Sequence, residues 1–496
     1  MKTIVLSLLF FCPCIVQAQI TFQKTIGTPD SLDGWFRAFC VQSTNDGNYI
    51  LTGHGYDPNM GAALIKLSNT GNIIWSKILR NSILEGNSVQ QTIDGGYVIA
   101  ATHGLRMIKT DDSGNVSWAK TYYGTVGKYV QQTSDGGFIL LGTVDNSQQQ
   151  QFNNDIQLVK TDAQGNATWQ RVFGGAGQDF GYSAKQTDDD GYIVVGTSYS
   201  FNNSNSSNIF LTKFDSSGTL LWAKTFNVGF ATDIQETSDG GYIIAASYGV
   251  NLIKIDSNGN ILWAKKYDGI SYPEAVKQTT DGGYIICGSN LNTVNYAFLL
   301  KVDGQGNSQW SKTYSYDAVF RSVIITNDNG YLAVGITRIN QYGSLGYDAL
   351  IVKTDDQGNS GCTDTAFTVN TIDLSLLDSN VTPIITNNNF FNNVPVYTGS
   401  EGTVFSICST ENVTELNNDK NTIVVSPNPA REHFTITCPN QVKKAEFVIT
   451  DILGNVVMRR NISKLTTTID FNGAQGIYFL RVYNNEISYS AKIVIQ

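Results

Sequence analysis

The segment TSDGGYIIAASYGVNLIKIDSNGNILWAKKYDG, Thr237 to Gly269, contains the two short motifs that decide the fold. In T-x-D-G-G-Y and K-x-D-x-x-G-N-x-x-W, aspartate can cap the backbone and glycine supplies the positive φ of a tight hairpin. The run Gly241 to Ser247 between them is apolar enough for a strand covered on both faces. Helical periodicity is absent, so the segment predicts a small antiparallel sheet.

Both motifs recur seven times. The first copy and the last copy of the D-G-G aspartate are separated by 328 − 46 = 282 residues, six steps with a mean of 47. A period of this length is typical of propeller blades or solenoid turns. The turn aspartates are Asp46, Asp94 (followed by Gly95 and Gly96), Asp135, Asp189, Asp239, Asp281 and Asp328.

The two ends of the repeat array favour a closed ring over an open solenoid. FQKTIG, Phe22 to Gly27, matches the fourth strand of a repeat with Phe22 in place of tryptophan, but no third strand precedes it. The seventh D-x-x-G-N turn ends at Asn359, and no tryptophan strand follows. One orphan strand therefore complements one missing strand. We predict an all-β, seven-bladed β-propeller over residues 20–361, closed by the N-terminal strand.

The repeated side chains each allow a structural and a functional interpretation. The tryptophans could form a carbohydrate-stacking surface, but their fixed place after a turn favours packing between blades. Six of the seven strand-three lysines are followed two residues later by an aspartate, with Lys66 as the exception, which favours local pairing with that aspartate or cation–π contact with the tryptophan over a cationic ring. The turn aspartates favour backbone capping over Ca²⁺ binding, because each motif supplies too few converging oxygens. The tryptophans are Trp75, Trp118, Trp169, Trp222, Trp263 and Trp310.

Catalytic patterns are weak. The array holds two histidines, His54 and His103, in no metal-binding motif, and we predict no metal, no cofactor and no catalytic residue that the sequence can identify. A pair of acidic residues for glycoside hydrolysis stays an open alternative, because the sequence does not give the distance between two carboxylates. No pattern assembles Arg37, Arg171, Arg321 and Arg338 into one site. Lengthened loops are the expected binding regions; they span 148–154, 201–207 and 342–347.

The D-x-x-G-N-x-x-W hairpin resembles the Trp-docking repeats of quinoprotein-type propellers and, less closely, the Asp-box of sialidase propellers. The whole repeat is similar to secreted propeller-repeat proteins of Bacteroidota. This resemblance implies the fold and leaves the activity open, because propellers carry unrelated functions.

The N-terminal residues 1–18 read as a secretory signal peptide, with Lys2 ahead of an apolar run and cleavage expected after Ala18. A lipoprotein is the alternative, although the residues before Cys12 and Cys14 do not fit.

In an oxidising compartment Cys362 and Cys408 are the expected disulfide, with free thiols as the alternative. The other cysteines of the mature chain are Cys40, Cys287 and Cys438.

The chain changes character after Gly361. Residues 362–409 predict a small β-element or ordered linker, 410–421 a flexible hinge, and 422–496 an immunoglobulin-like β-sandwich. This last part resembles the type A C-terminal sorting domain of the type IX secretion system of Bacteroidota, which implies export through the periplasm, then release or outer-membrane surface attachment. The residues that carry the resemblance are Pro427, Asn428, Pro429, Asp451, Gly454, Gly476, Tyr478 and Lys492.

The charge and hydropathy of the sequence limit the classes of partner that the protein is expected to bind. A net charge of −9 argues against nucleic acid or an anionic membrane surface, and no segment after the leader predicts a transmembrane span. We expect a monomer that meets the secretion machinery through its tail and an extracellular glycan or protein through its propeller. The main hypothesis is a non-catalytic binding module. The alternative is a propeller enzyme that acts on extracellular polysaccharide or sialoside.

Overall fold

The chain is described from a computed structural model. Contacts divide it into two compact units, Met1–Glu411 and Asn412–Gln496, which are treated separately below. The structure describes residues 19–27, 35–56, 61–80, 84–145, 153–201, 206–248, 251–291, 295–338, 347–362, 364–386, 391–393, 397–399, 403–409, 424–426, 433–437, 445–450, 456–462, 464, 466–471, 476–483 and 488–495.

Each repeat folds into four consecutive antiparallel strands, as the two turn motifs predict. The strands of the repeat array are β1 (Phe22–Gly27), β2 (Trp35–Ser43), β3 (Tyr49–Tyr56), β4 (Gly61–Leu67), β5 (Ile73–Arg80), β6 (Gly86–Gln91), β7 (Tyr97–Ala101), β8 (Leu105–Thr110), β9 (Val116–Tyr122), β10 (Val126–Gln132), β11 (Phe138–Asp145), β12 (Asn154–Thr161), β13 (Ala167–Gly174), β14 (Asp179–Gln186), β15 (Tyr192–Ser198), β16 (Asn208–Phe214), β17 (Leu220–Phe226), β18 (Phe230–Glu236), β19 (Tyr242–Ser247), β20 (Leu252–Ile255), β21 (Ile261–Tyr267), β22 (Tyr272–Gln278), β23 (Tyr284–Leu291), β24 (Asn295–Val302), β25 (Ser308–Tyr316), β26 (Ala318–Ile325), β27 (Tyr331–Thr337) and β28 (Asp348–Thr354).

These strands form seven sheets in the described residues. Sheets 1 to 6 are β2–β5, β6–β9, β10–β13, β14–β17, β18–β21 and β22–β25, and sheet 7 is β26–β28 completed by β1. The first strand of each sheet packs against the first strand of the next, and β26 of sheet 7 packs against β2 of sheet 1. The sheets therefore form a closed, propeller-like ring in which the N-terminal strand supplies the fourth strand of sheet 7. Phe22 lies opposite Lys353 and Ile26 opposite Ala349.

The tryptophans pack between neighbouring sheets. A Cβ atom added to Gly114 of sheet 2 would lie 2.7 Å from the Trp75 ring of sheet 1, so the indole rests directly on the next sheet's turn. Phe22 makes the same contact with Gly71 across the closure of the ring. The other pairs are Trp118 with Gly165, Trp169 with Gly218, Trp222 with Gly259, Trp263 with Gly306, and Trp310 with Gly358.

The strand-three lysines form ion pairs with the D-G-G aspartates of their own sheets. In sheet 5, Lys254 Nζ lies 2.9 Å from the Oδ2 atom of Asp239. The other carboxylate oxygen of Asp239, Oδ1, accepts a hydrogen bond from the Gly241 N–H. The sequence led us to expect pairing with the aspartate two residues later, and that expectation is wrong. In sheet 5 that residue, Asp256, caps its own D-x-x-G-N turn through the N–H groups of Asn258 and Asn260. The pairs are Lys66–Asp46, Lys109–Asp94, Lys160–Asp135, Lys213–Asp189, Lys254–Asp239, Lys301–Asp281 and Lys353–Asp328.

These ion pairs predict a sharp loss of stability in acid. Partial burial raises the pKa of Asp189, but hydrogen bonds from Lys213 and Thr187 outweigh it and lower this pKa from 3.8 to about 2. A carboxylate whose pKa is lower in the folded state stabilises it above the unfolded pKa and stops doing so as pH falls through the folded pKa. The aspartates are largely exposed, so each pair contributes only about 1 kcal/mol or less. Because every one of the seven sheets has such a pair, these small contributions to the free energy of unfolding add up.

We therefore expect the melting temperature, followed by circular dichroism, to be nearly constant from pH 7 to 5 and to fall steeply between about pH 4 and 2. Lys254→Met should weaken the fall, because Asp239 then loses the partner that lowers its pKa to about 2. A melting temperature that stays constant down to pH 2 would contradict this assignment.

The most unexpected part of the fold is the segment 365–409, which we call the belt. It adds a fifth, outermost strand to every sheet, and it visits them in reverse order: sheet 6, 5, 4, 3, 2, 1 and finally 7. Its strands are β29 (Thr365–Ala366), β30 (Thr371–Asp373), β31 (Asp378–Asn380), β32 (Ile384–Thr386), β33 (Phe391–Asn393), β34 (Tyr397–Gly399) and β35 (Thr403–Ser409). The belt thus pairs the outer edges of the ring, so these strands of the 362–409 region add to the sheets of the repeats.

The belt repeats one contact on successive sheets. The N–H groups of Phe367, Leu374 and Val381 donate to the carbonyl of the residue that follows the tryptophan in sheets 6, 5 and 4. Ionic contacts add to these hydrogen bonds, because Lys224 Nζ lies 3.2 Å from the Asp378 carboxylate and Lys265 also contacts Asp373.

The two ends of the belt meet at β1. Gln23 donates from its side-chain amide to Ser360 Oγ at 2.8 Å, and its Cα lies opposite that of Cys408 on β35. Cys362 is disulfide-bonded, whereas Cys40 and Cys287 are free thiols. The Cys362–Cys408 pairing stays a prediction.

The second unit contains two antiparallel sheets in the described residues. Their orders are β36–β37–β40 and β39–β38–β41–β42, and both contribute to one core that includes Phe434, Phe447 and Leu480. The strands are β36 (Val424–Ser426), β37 (His433–Thr437), β38 (Ala445–Thr450), β39 (Val456–Ile462), β40 (Thr466–Asp470), β41 (Gly476–Tyr483) and β42 (Ser488–Ile495).

Candidate binding site at the centre of the ring

The first strand of every sheet carries a β-bulge at the same place. In sheet 3 the pairing of β10 with β11 passes from Gly127 to Tyr129, so Lys128 is the extra residue. A bulge redirects a side chain and is common beside functional sites. Each bulge residue is at least partly exposed, whereas the residue before it is buried. We call these seven residues the bulge ring: Phe39, Asn87, Lys128, Tyr182, Thr232, Glu274 and Arg321.

The bulge ring breaks the uniformity of the repeats. Seven equivalent positions hold seven different residue types, although the turn motifs around them are nearly identical from repeat to repeat. The second strand accommodates the bulge with a small residue, as at Gly288, where an added Cβ would lie 2.0 Å from the Tyr272 carbonyl oxygen. The fold therefore fixes the backbone at these positions and leaves the bulge side chain free to vary.

The charged members of the bulge ring come from different sheets. Arg321 of sheet 7 forms an ion pair with Glu274 of sheet 6. Burial raises the pKa of Glu274, against the opposite effect of the Arg321 charge. Lys128 makes no hydrogen bond or ion pair with any described residue, and its burial lowers its pKa. The negative charge of Glu85 acts in the opposite direction, and the positive charge of Arg321 lowers this pKa further.

A second layer of polar groups lies one to three residues further along the same strands. We call it the inner layer: Cys40, Tyr129, Lys185, Asp233 and Lys277. Lys185 Nζ donates to Tyr129 Oη at 2.7 Å and lies 4.0 Å from the centre of that ring. Asp233 accepts from Ser183 Oγ at 2.8 Å and from the Val276 N–H at 3.3 Å, with Lys277 Nζ 3.9 Å away.

The inner layer is electrostatically connected across the ring. Burial lowers the pKa of Lys277, and the positive charge of Lys185 lowers it further, while Asp233 acts in the opposite direction. Burial also raises the pKa of the Cys40 thiol. Two lysines from sheets 4 and 6 thus share a confined space with one carboxylate.

Four aromatic residues line one side of the ring face from which the first strands start. We call them the aromatic rim: Tyr199, Phe230, Tyr248 and Tyr272. Their ring centres follow one another at 6.2, 5.1 and 5.3 Å, and the Tyr248 and Tyr272 hydroxyls are 3.0 Å apart. Tyr248 is 60% exposed and has a φ of 61°, a left-handed conformation that is strained for an aromatic residue. Such strain is often found where a side chain serves a ligand.

A cationic–aromatic group occupies another part of the same face. The Arg37 guanidinium lies 4.5 Å from the centre of the Tyr347 ring, and Arg338 donates to Tyr347 Oη at 2.8 Å. Asp317 lies 3.7 Å from Arg338. Arg37, Arg171, Arg321 and Arg338 do not form one site, because Arg171 donates to the Gly218 carbonyl on the turn side of sheets 3 and 4.

The other predicted residues fall in three groups. His54 lies 3.6 Å from Glu85 and His103 is exposed, and in the described ranges no three potential metal ligands cluster. Most of the lengthened loops lie outside the described residues, as do Pro427, Asn428, Pro429, Asp451 and Gly454. Gly476 and the buried Tyr478 lie on β41, and Lys492 lies on β42 opposite Phe479.

The second unit corresponds to a known kind of domain. Residues 424–496 match the family of secretion system C-terminal sorting domains, so the tail is a type IX sorting signal. A tail of this kind directs a protein to the cell surface or the medium, and it implies contact with the type IX machinery. Among the described residues there is no helix of the length and hydrophobicity needed to cross a bilayer.

The chain is similar to several solved structures at low sequence identity. Streptogramin B lyase is 11% identical, with 68% of this chain and 100% of that chain covered at a TM-score of 0.41. A protein of unknown function from Bacteroides caccae is 12% identical, covering 59% and 94% at 0.36. PorZ, a surface component of the type IX secretion system of Porphyromonas gingivalis, is 11% identical, covering 91% and 58% at 0.34. No curated protein sequence matches the chain.

Proposed function

We propose that the protein is a secreted or surface-attached, seven-bladed β-propeller that binds an extracellular glycan without transforming it. A cleaved N-terminal signal peptide, an immunoglobulin-like tail and a monomeric state belong to the same proposal. The observation that carries the binding role is the aromatic rim beside a bulge ring of seven different residues.

The aromatic rim supports a glycan as the ligand. Tyr248 is exposed, and Tyr199, Phe230 and Tyr272 are partly exposed. Aromatic side chains offer flat apolar faces, the tyrosines add a polar hydroxyl, and contiguous accessible patches of this kind mark interaction sites. The rim extends over sheets 4, 5 and 6, so a ligand with several repeating units can contact successive rings. The strain at Tyr248 supports a fixed presentation of that ring.

The acidic groups near the rim support binding better than catalysis. The Glu274 carboxylate is engaged by Arg321, and Asp233 is held by Ser183 and a backbone N–H. Burial raises the pKa of Tyr182, which keeps its phenol protonated at neutral pH and so disfavours a tyrosine nucleophile. One observation favours the alternative of a glycoside hydrolase: the pKa of Glu274 is raised, as a general acid requires.

A glycan array with the purified protein tests this proposal. We expect binding to a restricted set of glycans, and we expect Tyr248→Ala to weaken it by about tenfold or more, since the loss of one well-packed contact of about 1.4 kcal/mol has that effect. Tyr123→Ala is the matched control, because Tyr123 is 45% exposed but lies beyond the rim.

A hydrolase panel run on the array's ligands separates the two functions. Release of a shorter product, abolished by Glu274→Gln, would replace the binding role with the enzymatic one. Binding that is equally insensitive to both tyrosine variants would remove the aromatic rim from the site.

A further inference from the structure

We propose that the glycan bound at the aromatic rim is acidic, and that its carboxylate or sulfate group is held inside the ring by Lys128 and Lys185. This inference rests on the proposed function and names the chemical class of its ligand.

The charge inside the ring is the first argument. The bulge ring and the inner layer hold four cationic side chains, and with the neighbouring Glu85 they face three carboxylates, a difference of 4 − 3 = +1, in a chain of net charge −9. The cations are Lys128, Lys185, Lys277 and Arg321, and the carboxylates are Glu85, Asp233 and Glu274. A confined positive region in an otherwise acidic protein concentrates anions and repels cations.

The pairing of these charges is the second argument. Arg321 is paired with Glu274, and Lys277 lies beside Asp233. Lys185 donates to the neutral Tyr129 hydroxyl and has the charge of Asp233, which also faces Lys277, as its counter-charge. Lys128 is influenced by the charge of Glu85 but forms no ion pair or hydrogen bond with a described residue. A buried cation that is not ion-paired is costly, because it loses its hydration with little electrostatic compensation. An anionic group of a ligand would supply that compensation for both lysines.

The repeat itself is the third argument. Three residues past the bulge, four of the seven sheets have glutamine: Gln42, Gln90, Gln131 and Gln235. The side-chain oxygens of Gln90 and Gln131 accept an N–H from the next sheet at 2.6 and 3.0 Å. Lysine has no acceptor, so Lys185 gives up this contact and instead donates to Tyr129 of the neighbouring sheet. Two of the seven sheets, with Lys185 and Lys277, thus have a cation near the centre of the ring in place of the recurring glutamine.

The positions of the lysines along the strand fit one extended ligand. Strand residues rise by about 3.3 Å each, so Lys185 lies about 10 Å deeper than the bulge ring. Tyr272, two residues before the bulge residue Glu274, belongs to the aromatic rim. A glycan that stacks on the rim can thus direct a charged substituent first to Lys128 and then towards Lys185.

Isothermal titration with three matched probes tests the inference. They are a galacturonic acid trisaccharide, the same trisaccharide with its carboxylates reduced to alcohols, and a sulfated galactose trisaccharide. We expect at least one acidic probe to bind about tenfold or more tighter than the neutral probe, with an affinity that falls as salt is raised. The acidic probe that binds identifies carboxylate or sulfate as the preferred group.

The variants are chosen to preserve the fold. Lys185→Gln introduces the residue found at this position in four of the seven sheets, and Lys128→Met removes a partly buried charge. Both variants should keep the melting temperature and reduce the acidic preference to about threefold or less. Lys266→Met on β21 is the control, because it removes the same charge from an outer strand.

The outcomes distinguish the two proposals. Equal affinity for neutral and acidic probes, unchanged by either lysine variant but weakened by Tyr248→Ala, overturns the acidic ligand and leaves the glycan-binding role intact. Binding of inorganic sulfate as tight as that of the sulfated trisaccharide also overturns it, because the sugar would then contribute nothing. No binding of any probe or arrayed glycan would overturn both.

Discussion

Deletion of residues 20–27 is expected to lower the melting temperature of the propeller unit by roughly 10–20 °C. The strand β1 is paired on both edges, with β28 on one side and β35 on the other, so its loss exposes two strand edges at once. Phe22 and Ile26 are fully buried, and removal of such side chains costs about 2–5 kcal/mol each. In proteins of this size class each kcal/mol shifts the melting temperature by about 2–4 °C.

Two point variants separate the loss of the side chain from the loss of the strand. Phe22→Ala should cost about 3–5 kcal/mol, because its ring fills the space against Gly71 that tryptophan fills elsewhere. Phe22→Trp restores the residue of the other six repeats and should be tolerated. Differential scanning calorimetry measures all three proteins, and a deletion variant that melts as the intact chain does would show that β1 does not close the ring.

The closure could be predicted from the sequence because it depends on local motifs. An orphan strand at Phe22 and a turn without its strand after Asn359 complement each other whatever the details of packing. The lysine pairing could not be predicted in the same way. Lys254 and Asp239 are 15 residues apart, and only the register of β19 against β20 brings them together.

The belt and the bulge ring were missed for different physical reasons. Six of the seven belt strands have only two or three residues, too few to show an alternating pattern. The strands they pair with are also far away in the sequence, more than 300 residues in the case of β34 and β5. Their only sequence signal is a spacing of six or seven residues from Thr365 to Thr403, which allows about 20 Å of nearly extended chain per step. The bulges arise from cross-strand register, which a single strand does not reveal.

The bulge ring also changes how the repeats bear on function. Near-uniform repeats favour binding over catalysis, because an enzyme would be expected to break the pattern at its site. The outer parts of the sheets are indeed uniform, since Trp75 and its equivalents serve the packing of every sheet on the next. The pattern breaks at the centre, where Lys128, Tyr182 and Glu274 occupy the same structural position. Specificity can therefore evolve at the bulges without disturbing the ring.

The belt predicts an even larger effect than β1. A chain that ends after Gly361 keeps all four-stranded sheets but leaves seven outer edges unpaired, and such edges promote aggregation. It also loses the Lys224–Asp378 ion pair and the packing of the partly buried Phe367 and Leu374. Full burial of such a side chain stabilises by about 1.5–3 kcal/mol, and partial burial by less. We expect this chain to aggregate, and a chain that ends after Glu411 to be monodisperse, when both are compared by size-exclusion chromatography and limited proteolysis.

The expected disulfide provides a second test of how the belt stabilises the ring. If Cys362 pairs with Cys408, the bond closes a loop of 408 − 362 = 46 residues that encircles the ring, and the chain-entropy model gives such a loop about 4 kcal/mol. Cys362→Ser and Cys408→Ser should then destabilise the chain ending at Glu411 equally, and the double variant should cost no more than either. Cys287→Ser is the control, because Cys287 is a buried free thiol. Full solubility and protease resistance of the chain ending at Gly361 would show that the sheets need no belt, and the belt would then have to serve a partner instead of the fold.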